Sequence, residues 1–332
     1  MKSNLPLIRL SAINPFLLEL QRRGVDAQPL LAELNLPSEI PASDDLFVAS
    51  TTIYEIVEES AKLADDKYLG FAIGVNLDLR AWNPIAAAAE RATSVGQLLA
   101  MFCVNAAEHS TATRFTLSTD GERSTFGLRR IEAPPFRPGQ NDAFYTGMML
   151  QLLKRATQKN WDAGQVIFSV ADPACVPAGD EVYRIAKGGK SGVQITFPSP
   201  WLFERFEKSR FHASTGESRS SDMPQSLVES VRSALLPHLN KSDLTVERAA
   251  AICGHDRRKL ARRLREEGTT LSREIAHLRA AKAQQELERS NQRIAAIGEG
   301  VGFTDPTVFS RAFKKWTGQS PQEYRRTHKS PD

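Results

Sequence analysis

The chain has 332 residues, 41% of them hydrophobic and 25% charged, which is enough apolar material for two domains with their own cores. No run of about 18 apolar residues occurs, and Pro6 and Arg9 interrupt the N-terminus, so neither a membrane span nor a signal peptide is predicted. The formal charge of +4 is uneven. From Lys241 onward 19 Lys and Arg face 12 Asp and Glu, a net of +7, whereas 24 face 27 before it, a net of −3. Such asymmetry points the C-terminal part at a polyanion. Cys103, Cys175 and Cys253 are too scattered for a disulfide framework, and a reducing cytoplasm is expected.

Asn14-Pro15 opens a short helix around Phe16, Leu17 and Leu20, and a second follows with Leu30, Leu31 and Leu34. Residues 50–63 carry Ile53, Ile56 and Val57 at helical spacing, and 66–73, 85–92 and 95–107 are also predicted helical. The period then changes. Residues 114–118 and 125–129 alternate about Asp120-Gly121, a hairpin signal. A helix is predicted over 143–157, strands over 166–170 and 193–197, and a closing helix over 200–208 with Trp201, Leu202, Phe203 and Phe206. These elements make an α+β domain over 1–208. The Ser-rich segment 209–224 lacks apolar periodicity and reads as a linker.

Residues 225–332 read as all-α. Leu227, Val231, Leu235 and Leu236 mark a first helix. Thr245 caps a second, which Gly254 ends, and Asp256 caps a third. In that third helix Leu260 and Leu264 share a face, while Arg258, Arg262 and Arg265 line the other with Ala261 at its edge. An uninterrupted helix over 272–289 would span ~27 Å. After it come a short helix, a Gly-containing turn, and a helix that Asp305 caps and Pro306 starts. There Phe309, Ala312, Phe313 and Trp316 share one face, and Thr307, Ser310, Arg311 and Lys314 the opposite one. Gly318 suits the stop, and Ser320 with Glu323 forms a capping box for one more helix. An aromatic back with a cationic, hydroxyl-bearing front suits the major groove of DNA, where Arg reads guanine edges and Lys or Ser/Thr holds phosphates.

The tail resembles the signature of the AraC/XylS family of transcription regulators at Ile294, Ala295, Gly302, Phe303, Phe309, Arg311, Phe313, Lys314, Gly318, Ser320, Pro321, Tyr324 and Arg325. The resemblance covers about 225–327. It implies two helix-turn-helix motifs joined by a long helix, with Arg258, Ala261 and Arg262 at base-reading positions of the first and Thr307, Ser310 and Arg311 at those of the second. The N-terminal part is similar to the arabinose-binding-type regulatory domain of one branch. That likeness rests on Ile40-Pro41, the helix over 48–64, Tyr68-Leu-Gly-Phe-Ala-Ile-Gly74, the segment 93–99 and the hairpin after it. Arg80-Ala-Trp-Asn-Pro departs from the usual Gly-rich approach to the Ala-rich helix.

Enzyme chemistry finds little support. Gly188-Gly189-Lys190-Ser191 lacks the earlier Gly of a phosphate loop, since Arg184 stands there, and a strand follows where a helix is needed. His109, His212, His238, His255, His277 and His328 make no metal-binding pattern, no nucleophile elbow occurs, and neither cofactor nor metal is expected. Trp82, Phe102, Phe136, Tyr145 and Trp161 are candidates to line a pocket, and Arg80 and Arg137 beside two of them would suit an anionic small molecule.

The expectation is a cytoplasmic, sequence-specific DNA-binding regulator controlled by a small-molecule effector. Double-stranded promoter DNA is its partner, with a homodimer and, for an activator, RNA polymerase as further ones. The alternatives are an N-terminal domain that only dimerises or binds a protein, and an N-terminal enzyme fused to a DNA-binding module.

Overall fold

The computed structural model describes residues 4–34, 36–37, 46–79, 81–178, 183–206 and 223–328. Ile40-Pro41, Arg80, and residues 209–222 of the expected linker 209–224 lie outside them. The chain divides into two compact units, Pro6–Met223 and Pro224–Asp332 with Met1–Leu5.

The first unit is built on a five-stranded sheet. Its strands are β3 (Thr113–Asp120), β4 (Arg123–Arg130), β5 (Ile167–Val170), β6 (Arg184–Lys187) and β7 (Gly192–Pro198), in the order β3-β4-β7-β5-β6. Neighbours run antiparallel except β5 and β6. The β3–β4 hairpin turns where expected, with Gly121 at φ +56° taking the left-handed conformation a tight turn needs. A separate pair, β1 (Leu7–Arg9) with β2 (Phe47–Ala49), has only three residues per strand, all buried. No alternation announces strands of that kind, nor the exposed edge strand β6.

Among the described residues seven α-helices precede or face the sheet: α1 (Asn14–Arg22), α2 (Gln28–Glu33), α3 (Ser50–Leu63), α4 (Leu69–Val75), α5 (Asn83–Arg91), α6 (Val95–Asn105) and α7 (Gly139–Thr157). The α7 helix is the core, buried along most of its length. It meets α4 at backbone distance. A Cβ on Gly70, Gly74 or Gly147 would lie 2.2, 2.1 and 2.3 Å from the carbonyl oxygens of Gln140, Phe144 and Phe71. Only glycine permits that approach. Gln140 seals the contact, accepting from the Gly70 N–H at 2.8 Å and donating to the Lys67 carbonyl at 2.8 Å. A fully buried pair, Arg130 with Asp142 at 2.5 Å, ties β4 to α7, and the other Asp142 oxygen accepts from the Ala171 N–H at 2.8 Å.

Two expected helices differ. The one over 66–73 begins only at Leu69, because Asp65 turns the chain at φ +49° and Asp66 accepts from the Tyr68 N–H. Over 200–208 the chain makes a 3-10 turn, Ser199–Phe203, and then extends, with residues 207–208 outside the described ones. Trp201 and Phe206 are both buried, but the backbone from Glu204 to Phe206 hydrogen-bonds Val95 and Thr93, which a helix would forbid.

The second unit is helical among its described residues: α8 (Leu227–Leu235), α9 (Val246–Ile252), α10 (Arg257–Glu266), α11 (Leu271–Arg289), α12 (Ile294–Gly300), α13 (Pro306–Thr317) and α14 (Pro321–His328). The α11 helix packs against α8 and α9 and also against α12, α13 and α14. Its buried Glu274 accepts from Arg232 of α8 at 2.6 Å and from the Thr269 hydroxyl. Among the described residues no helix is long and apolar enough to cross a membrane.

Candidate nucleic-acid interface

Two short helix pairs carry the cationic faces. In the first, α9 starts at Thr245, whose hydroxyl accepts from the Arg248 N–H at 3.2 Å, and ends at Gly254, φ +66°. Asp256 then caps α10, one carboxylate oxygen accepting from the N–H groups of Arg258 and Lys259 at 2.9 and 3.0 Å. Those are donors a helix start leaves unpaired. Leu260 and Leu264 are fully buried, and their burial sets which face of α10 points outward. Arg258, Arg262 and Arg265 are exposed, with Ala261 half-buried beside them.

In the second pair, α12 and α13 approach so closely that a Cβ on Gly298 would lie 3.1 Å from the Phe309 ring. Asp305 caps α13 through the Thr307 N–H at 2.6 Å, and such backbone donors hold its carboxyl below the usual range. Phe309 and Phe313 are fully buried in a cluster with Ile297, Val301, Leu287 and Tyr324. Phe303 reaches both Phe309 and Trp316, with ring centroids 5.7 Å apart in each case. The opposite face presents Thr307, Arg311 and Lys314 to solvent, with Ser310 half-buried. The Ser310 hydroxyl donates to the Pro306 carbonyl at 2.9 Å, leaving its lone pairs for a partner. Gly318, φ +82°, stops the helix, and the capping box forms as expected, Glu323 accepting from Ser320 N–H at 2.8 Å and Ser320 Oγ from Glu323 N–H at 3.3 Å.

Ion pairs of this unit include Arg232 with Glu274, Arg248 with Asp243, and Arg257 with Glu247. Arg257 belongs to α10, but Arg258, Arg262, Arg265, Arg311 and Lys314 take part in none of these pairs. A phosphate backbone would therefore meet charges that need not first be released from carboxylates.

The turn between α12 and α13 is held from below by a residue that sequence reasoning missed. Arg279, in the middle of α11, donates to the Lys241 carbonyl at 3.0 Å and lies 5.3 Å from the Phe303 ring centroid. Burial lowers its pKa. Gly302, φ +84°, sits against the same carbonyl. Nearby, burial, with the charges of Arg248 and Lys241, pushes the pKa of His238 down to about 4.

The candidate pocket residues separate. Trp82 and Tyr145 line a narrow internal cavity of the first unit. Phe102 is fully buried behind them, 6.2 Å from Trp82 and 4.7 Å from Phe115 between ring centroids. Phe136 is half-buried and Arg137 exposed, and neither lines that cavity. Tyr54, His109 and Asn141 do line it. They are distant in sequence, and no spacing rule joins them.

Residues 249–327 match the family model of a helix-turn-helix domain, and residues 24–186 match that of the arabinose-binding domain of AraC transcription regulator, N-terminal. The chain belongs to the AraC family of DNA-binding transcription regulators. Two curated relatives are from Pseudomonas aeruginosa. The MmsAB operon regulatory protein is 33% identical over 99 residues, 30% of this chain and 32% of that one. The ornithine utilization regulator is 24% identical over 319 residues, 91% of each. This family member thus aligns along nearly its whole length with one relative and along about a third of the other. Among solved structures, the transcriptional regulator CdpR from Pseudomonas aeruginosa covers 95% of this chain and 98% of its own at 17% identity, with a TM-score of 0.36.

Proposed function

We propose that this AraC-family regulator binds operator DNA through the outward faces of α10 and α13. Arg258, Arg262 and Arg311 act as base or adjacent-phosphate contacts, Ala261, Thr307 and Ser310 as close neighbours of base edges, and Arg265 and Lys314 as phosphate holders. The observation that carries the reading is the segregation on both helices. Leucine or phenylalanine anchors are fully buried on one side, and Arg258, Arg262, Arg265, Arg311 and Lys314, which take part in none of the ion pairs above, are exposed on the other. The 19 residues of α11 span about 28 Å, close to the ~34 Å that separates successive major grooves on one face of B-DNA. A helix touching both pairs at that length suits a strut between two reading heads.

The N-terminal unit, in this reading, senses a small molecule and biases a DNA-competent arrangement. The working compartment is the cytoplasm, the assembly a homodimer, and RNA polymerase the further partner if the regulator activates. Selection of bound sequences from random DNA tests the core of the proposal. The expected result is a half-site with two short blocks one helical turn apart, bound with a steep loss of affinity as salt rises. Recovery of unenriched sequence, or of a single short block, would overturn it.

A further inference from the structure

Trp82 stands in the wall of two hollows. On one side an open groove of about 610 Å³ runs past Pro15, Leu18, Ile73 and Leu77, with Leu18 65% exposed. On the other is the internal cavity, about 50 Å³, whose wall includes Tyr54. Trp82 and Tyr54 are 5% and 1% exposed; the indole N–H has no acceptor, and the Tyr54 phenol, beside the donor-only Arg130 guanidinium, has no acceptor for its own proton. Folded proteins seldom leave buried polar atoms so, and each such atom calls for an occupant.

The unspent chemistry is of one kind. An indole N–H can only donate. Arg130, whose charge Asp142 already balances, lies 5.1 Å from the Tyr54 ring centroid and brings donors rather than acceptors to it. Two other polar atoms of the wall are already engaged. Asn141 Oδ1 accepts from Arg130 at 2.7 Å, and Ser110 Oγ accepts from the Thr113 hydroxyl and the Ala112 N–H, both at 3.0 Å. His109, next to Ser110, is held neutral by burial and by the charge of Arg9, so it adds no cation to draw a bulkier anion. The inner cavity of about 50 Å³ has room for up to about two water-sized groups at roughly 30 Å³ each, the size of a carboxylate's two oxygens. The outer groove has room for an apolar body.

We propose that the groove and the cavity are two parts of one site, partitioned by Trp82, and that the site takes a small aliphatic carboxylate. Its oxygens accept from Trp82 Nε1 and Tyr54 Oη in the inner cavity, and its apolar body lies along Leu18, Ile73 and Leu77. The inference rests on the reading of the N-terminal unit as a sensor and names the chemistry it senses.

The full chain contains four tryptophans, so its ¹⁵N-labelled form gives four indole N–H signals. Trp82→Phe identifies one of them, and Phe substitution of the other three identifies it by elimination should that variant not fold. Titration with 3-methylbutanoate is expected to move the Trp82 signal saturably. 3-Methylbutan-1-ol should bind more weakly and 3-methylbutylamine not at all. Tyr54→Phe should raise the Kd for the acid about 5- to 10-fold, as loss of one hydrogen bond does, while leaving the other signals in place. A Trp82 signal unmoved by the acid means that the cavity holds water only and overturns the proposal. So does an alcohol or amine that binds as well as the acid, or a Tyr54→Phe variant of unchanged Kd. DNA selection with the same preparation reports separately on the helical unit, so failure here leaves the DNA-binding reading distinguishable.

Discussion

Gly302→Ala is the most telling perturbation of the helical unit. The native residue has φ +84°, a conformation that costs an L side chain about 1–2 kcal/mol. An added Cβ would also lie 2.7 Å from the carbonyl oxygens of Leu239 and Lys241 and 2.7 Å from an Arg279 nitrogen. Backbone oxygens cannot swing aside as a side-chain end can, and overpacking of this kind costs about 1–3 kcal/mol. Together the two effects predict a loss of about 2–5 kcal/mol in local stability. Because the chain has two compact units, a single unfolding free energy is not the right measure. Native-state hydrogen exchange of peptides from α12 and α13 is, and it should accelerate by roughly 30-fold or more at about 1.4 kcal/mol per decade. Gly300→Ala is the control. It has positive-φ strain in neither form and open space around the new Cβ, so its exchange should slow slightly or stay the same. Protection in Gly302→Ala equal to that in Gly300→Ala would refute the packing argument for this turn.

Three further outcomes are expected. Arg262→Ala should weaken operator binding by about 1–3 kcal/mol at fixed salt if the guanidinium pairs bidentately with a base, and an unchanged affinity and sequence preference would remove it from the reading set. Asp256→Ala strips the cap from α10 and should cost about 1 kcal/mol of local stability, read as faster exchange in 257–266, whereas Asp256→Asn should retain most of the protection. Glu58 is mostly buried and its pKa is raised to about 7, by desolvation above all. A carboxyl whose folded pKa exceeds the ordinary 4.5 binds its proton more tightly when folded, so it costs stability progressively as pH rises from about 4.5 through 7. Glu58→Gln should therefore melt close to the wild type at pH 4.5 and above it at pH 8. A melting-point difference that stays constant across that range would count against the assignment.

The helical unit was legible because its information is local. Caps at Thr245, Asp256, Asp305 and Ser320, stops at Gly254 and Gly318, and apolar residues three and four apart define helices and faces without reference to anything distant. The outward positions of Arg258, Arg262, Arg311 and Lys314 follow from where Leu260, Leu264, Phe309 and Phe313 must go. Much of the α+β unit was legible for the same reason, down to the turn of the β3–β4 hairpin.

What the tertiary structure alone decided is non-local. The three-residue strands β1 and β2 exist because they pair with each other, since neither is long enough to show a period. Residues 204–206 extend because Thr93 and Val95 take their hydrogen bonds, overriding an apolar spacing that suits a helix. Arg279 reads as an ordinary surface cation of a long helix until the Lys241 carbonyl and the Phe303 ring are seen beneath it. Tyr54 and Trp82 share a cavity only through the packing of α3, α7 and the sheet around it. Local rules register the bonds a residue makes with its chain neighbours, whereas these positions are set by groups that the folded chain brings to them from afar.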